Sequence, residues 1–83
     1  MIRRGKIDII AEILLIARRG SVKTKIAHLT NLNFKRCEKY LALLLKKGLL
    51  TVNDDRGAIT YVTTEKGHEF LELYRRYKEL LGE

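Results

Sequence analysis
The chain has 83 residues, a formal net charge of +7 and one cysteine, which fits a single domain and excludes an intrachain disulfide. One Cys and two separated His give little to hold a metal. No Ser/His/Asp or Cys/His set, paired carboxylates or phosphate-cradling glycine loop points to an enzyme, and no cofactor is implied.

The charge is unevenly placed. Met1 to Leu50 carries twelve Lys/Arg against three Asp/Glu, whereas Thr51 to Glu83 carries five against seven. A generally solvated surface explains the total but not the split, which suggests that the first half meets a polyanion.

Arg3, Arg4 and Lys6 form a basic arm. A first helix is predicted from Lys6 to Arg19, closed by Gly20. Ile7, Ile10, Ile13, Leu14 and Ala17 give it an apolar face, and Ile9, Leu15 and Ile16 widen that face beyond what a small core needs. The apolar run from Ile7 to Ala17 is too short to span a bilayer and contains Asp8 and Glu12. With no signal peptide visible, a cytoplasmic protein is expected.

Ser21-Val22-Lys23 reads as a short extended piece. Thr24 is expected to cap a brief second helix, Lys25 to about Thr30, with Ile26 and Leu29 inward; His28 reads as an ordinary surface histidine. After Thr30-Asn31-Leu32, Asn33 is a good N-cap for a longer helix that ends at Lys46-Lys47-Gly48. On it, Phe34, Cys37, Leu41, Leu44 and Leu45 form the expected buried stripe, so Cys37 is a core residue. Lys35, Arg36, Lys39 and Tyr40 lie on or near the other side, with Leu43 following. Two short helices joined tightly, the second longer and basic, form a helix-turn-helix pattern.

The periodicity then changes. Leu49 to Asn53 and Ala58 to Thr63 are strand-like and flank the turn Asp54-Asp55-Arg56-Gly57, a β-hairpin with Arg56 at its tip. Thr64 caps a last helix, Glu65 to Leu81, on which Phe70, Leu73, Tyr74, Tyr77, Leu80 and Leu81 make a continuous stripe. Glu72 and Arg76 are placed as an i,i+4 pair. The stripe outruns the small core and implies a second copy as partner, against the plainer reading that it folds back over the first helix.

The expected class is α+β, mostly α: three helices plus a hairpin wing over residues 1–63, and an added dimerisation helix over 64–83. Within it the segments T-K-I-A-H-L-T-N-L-N (Thr24 to Asn33), Y-L-A-L-L-L-K-K-G-L-L (Tyr40 to Leu50) and Y-V-T-T-E-K-G-H-E-F-L (Tyr61 to Leu71) resemble archaeal winged-helix regulators. The likeness extends to small archaeal chromatin-associated winged-helix proteins that dimerise through a C-terminal helix. It implies a homodimer that binds double-stranded DNA through the helix after Asn33. Two features depart from the chromatin-associated members. The last helix has 17 residues, about 25 Å, and the wing is acidic at Asp54 and Asp55. Both weigh towards a compact transcriptional regulator, host-encoded or carried by a virus or plasmid.

The residues best placed for DNA are Lys23, Lys25 and Lys35, with Arg3 and Arg4, for phosphates, and Arg36, Lys39 and Tyr40 for base edges. Asn33 at the helix start and Arg56 at the wing tip complete the set. Two such readers would favour a pseudo-palindromic site. The alternatives are a protein-interaction winged helix and a non-specific chromatin organiser; no membrane or small-molecule partner is evident.

Overall fold
The structure is a computed structural model that describes residues 4–83. Arg3, assigned above to the basic arm, lies outside the described residues. The elements are α1 (Lys6–Ile16), a 3-10 turn (Ala17–Arg19), α2 (Lys23–Thr30), α3 (Phe34–Lys46), β1 (Leu50–Asp55), β2 (Ala58–Thr63) and α4 (Glu65–Leu80). The expected order of three helices, hairpin and last helix is present.

One core joins the first three helices to the hairpin. Ile9, Ile10, Ile13, Leu14 and Ala17 meet Ile26 and Ala27, Leu32, then Cys37, Leu41 and Leu44, with Leu50 closing the base. α1 is rotated from the expectation: Ile9 is inside, whereas Ile7 and Leu15 are about half exposed. Its last turn tightens at Ala17, and Gly20 takes φ +91°. That turn lets Ser21 exchange both backbone hydrogen bonds with Tyr61, at 3.0 and 2.8 Å, adding one residue to the sheet edge.

α2 begins two residues earlier than expected. Val22 occupies the cap position without a side-chain bond, and Thr24 is already inside the helix and exposed. The buried residues are therefore Ile26, Ala27 and Thr30, while Leu29 faces out. The Thr30 hydroxyl is satisfied by donating to the Ile26 carbonyl at 2.7 Å. Asn31 ends the helix at φ 58°, and the Leu32 amide reaches back to the Ala27 carbonyl at 3.0 Å. This left-handed closure drops Leu32 into the core and turns the chain into α3. α3 ends in the same way, with Gly48 at φ +76° and the Leu49 amide on the Leu44 carbonyl at 2.9 Å.

The hairpin is longer than expected. β1 reaches Asp55, which pairs with Ala58, leaving only Arg56-Gly57 as the turn. Both turn residues have positive φ, 55° and 88°, the type that matches strand twist. Asp54 braces it by accepting from the Gly57 amide at 2.9 Å.

α4 is tied to the end of α3 by several bonds. The Thr64 side chain caps the helix and its hydroxyl donates to the Gly48 carbonyl at 2.6 Å. Lys66 Nζ donates to the Lys47 carbonyl at 2.6 Å, and the Thr64 amide to the Leu49 carbonyl at 3.1 Å. Gly67 lies so close to this junction that a Cβ there would collide with the Leu49 carbonyl oxygen and, at 2.6 Å, with Thr63 Cγ2. The helix then crosses α1, where the Tyr74 phenol donates to the Asp8 carboxylate.

Candidate nucleic-acid interface
α3 is buried along Cys37, Leu41 and Leu44. At about 100° per residue, Lys35, Lys39, Ala42 and Lys46 lie opposite that stripe, and all four are exposed. This outer row carries three cations and no acid. Asn33 Oδ1 accepts from the Arg36 amide at 2.8 Å, so its carbonyl is committed to starting the helix.

The two flanks of α3 differ. On the side facing the start of α1, Arg36, Lys39, Tyr40 and Leu43 share a shallow notch of about 240 Å³ with Lys6. Tyr40 and Leu43 are partly buried there against the core. The four residues expected on one outward face are thus divided: Lys35 and Lys39 point outermost, while Arg36 and Tyr40 turn towards α1. Lys6 joins them from thirty or more positions away in sequence, a neighbourhood that only the fold creates.

On the side facing α2, Lys23 Nζ binds Glu38 Oε2 at 2.9 Å and lies 5.7 Å from the centre of the Phe34 ring. The hydrogen bond to Glu38 raises the Lys23 pKa above its ordinary value. Phe34, expected in the core, is 54% exposed. It is the first residue of α3, and its side chain leans back beyond the helix end, beside Ala27, His28, Asn31 and Leu32. Leu45, also expected inside, is half-buried. Lys25 is exposed on α2. Arg4 pairs with Glu12 at 2.6 Å.

A family model described as winged helix-turn-helix matches residues 3–82. The chain belongs to the winged helix-turn-helix family. An uncharacterized protein of Methanocaldococcus jannaschii is 27% identical over 73 residues, covering 87% of this chain and 75% of the relative. Among solved structures, Sso10a-2, a DNA-binding protein from Sulfolobus solfataricus, superposes with a TM-score of 0.77 at 22% identity, covering 95% of this chain and 83% of that one. Sco5413, a MarR family transcriptional regulator from Streptomyces coelicolor, gives a TM-score of 0.77 at 18% identity over 88% of this chain. The chain spans 54% of that regulator's length. These likenesses establish the winged-helix fold.

In that fold α3 is the second helix of the helix-turn-helix and the hairpin is the wing. Arg56 is exposed at the wing tip beside the acidic Asp54 and Asp55.

The stripe of α4 divides in two. Phe70 and Tyr74 are partly buried on their own subunit, Phe70 against the core and Tyr74 against α1. Leu73, Tyr77, Leu80 and Leu81 remain exposed, Leu80 at 79%. Half-exposed Leu15 of α1 borders the same groove as Tyr77. The ion pairs of α4 centre on Arg75, which binds Glu72 and, at 2.7 Å, Glu79. They replace the Glu72–Arg76 pair expected from spacing. Among the described residues, no group of three or more His, Cys, Asp or Glu could hold a metal, and no helix is long and apolar enough to cross a membrane.

Proposed function
We propose that this protein is a sequence-specific transcriptional regulator that binds double-stranded DNA as a homodimer, with α3 in the major groove. The observation that carries the reading is the outer row of α3: three exposed lysines, Lys35, Lys39 and Lys46, with no acid among them. Arg36 and Lys6 extend the positive surface on one side. The helix's one acid, Glu38, is matched by Lys23 on the other. Lys23, Lys25 and Lys35 suit phosphates, while Arg36, Lys39 and Tyr40 suit base edges. The names of two solved neighbours, a DNA-binding protein and a transcriptional regulator, point the same way.

The dimer is supported by apolar surface that the subunit itself leaves open. Leu73, Tyr77 and Leu80 on α4 and Leu81 just after it are exposed, and Tyr77 shares a groove with Leu15 of α1; exposed apolar surface of this kind marks an association site. A nucleoid-associated location in the cytoplasm accompanies the reading.

Mobility shift on random duplex at low and high salt tests it. Retention at low salt with a steep loss at higher salt is the expected result. No retention at low salt would refute the DNA reading and leave a protein-interaction winged helix. Equal affinity for random and selected duplex would make the protein a non-specific organiser.

A further inference from the structure
We infer that Phe34 is a specificity-determining residue that reads the C5-methyl group of a thymine in the major groove. The inference rests on the proposed DNA reading of α3. The core does not need this ring, since Cys37, Leu41 and Leu44 form the buried stripe and Phe34 stays 54% exposed. It is nevertheless held. Lys23 Nζ lies 5.7 Å from the ring centre, and Glu38 in turn holds Lys23 at 2.9 Å. The corner formed by His28 and Asn31 borders the ring as well. An exposed aromatic with its orientation restrained is a preorganised apolar contact surface.

The charge around it selects the occupant. Lys23 lies over the ring and Lys35 follows it in sequence, while Glu38, one turn on, is committed to Lys23, so the surroundings of the ring carry a net positive charge, which suits a polyanion better than an apolar protein surface. A phenyl ring offers a phosphate no hydrogen bond. Among the groups that duplex DNA displays in its major groove, the thymine methyl is the apolar one, and Phe is among the side chains that contact it. The position fits too, because the first residues of a recognition helix are those that approach base edges.

The test begins by selecting preferred duplexes from a random pool. Each thymine in the winning site is then replaced singly by deoxyuridine, which removes only the methyl group. For the wild-type protein, one thymine per half-site is expected to lose about fourfold in affinity, the value of one buried methyl. Phe34→Ala should be insensitive at that thymine and keep its response to other base changes. Because the deoxyuridine series is read on the wild type, it does not depend on how the variant folds. Tolerance of deoxyuridine at every position, or an unchanged response in Phe34→Ala, overturns the inference while leaving DNA binding intact. Selection that enriches no sequence overturns it as well. Absence of any duplex binding refutes the DNA reading itself.

Discussion
Glu38 and Lys23 alter the charge that α3, the proposed recognition helix, offers a polyanion. Their pair is exposed on both sides, and such pairs contribute little to stability, so its main effect is electrostatic: Glu38 cancels one cation beside α3. Glu38→Gln is expected to bind random duplex more tightly and to steepen the slope of log affinity against log salt by about 0.9, one more phosphate contact. Titrations over a salt series decide this, and an unchanged slope would show that freed Lys23 finds no phosphate. Arg56 is a second case. It takes φ 55° in a two-residue turn that favours Asn or Gly. Arg56→Asn should therefore raise stability by about 1 kcal/mol, read from the denaturation midpoint, and should weaken DNA binding if the wing enters a groove. Neither the Lys23–Glu38 pair nor the exposure of Phe34 was legible in the sequence. The pair spans fifteen positions and exists only because α2 crosses α3. Phe34 has core spacing relative to Leu41 but sits at the first position of α3, where its ring meets Lys23 and the end of α2 instead of the core.

Among the elements, those with strong local signals were legible. Asn33 and Thr64 cap α3 and α4 as their side chains suggest, each accepting from a backbone amide three positions on, at 2.8 and 3.1 Å. α2 was misplaced because its start has no capping side chain. Thr24 looked like one, but Val22 takes the position through backbone geometry alone. The two faces of α4 were harder to read, since spacing cannot tell which apolar residues meet α1. Tyr74 does so, and it makes the α1–α4 contact respond to pH. Its hydrogen bond is the main cause holding Asp8 below the usual 3.8, ahead of the Gly5 amide, and Asp8 in turn raises Tyr74 above 10.0. A depressed carboxylate contributes stability above its ordinary pKa and loses it as pH falls. A raised phenol contributes below its ordinary pKa and loses the contribution as pH rises through the folded value. Tyr74→Phe should thus destabilise most at neutral pH, with the gap to wild type shrinking below pH 3.8 and above pH 10.0. Denaturation midpoints across that range provide the check, and a gap independent of pH would count against the bond.

At the scale of the whole molecule, the charge split was the clearest signal, because it needs no knowledge of contacts. The pairing of two copies is a different matter, since one chain shows only the surface left over. Tyr77→Glu combined with Leu80→Glu places two acids on the exposed part of α4. The double variant should be monomeric by light scattering and should bind duplex more weakly; an unchanged mass would refute that interface.

The junction at Gly48, Thr64 and Gly67 bears on the same assembly. The end of α3 is bonded directly to the start of α4, and Gly67 leaves no gap between α4 and the base of the hairpin. In a dimer paired through α4, each reader is then fixed to the two-fold axis without a flexible joint. The spacing between half-sites becomes a matter of helical phase. One added base pair turns a half-site by about 35° around the duplex, and a rigid α3–α4 unit has no hinge with which to follow it. Binding should fall sharply with a single inserted pair and return in part only when a full turn has been restored.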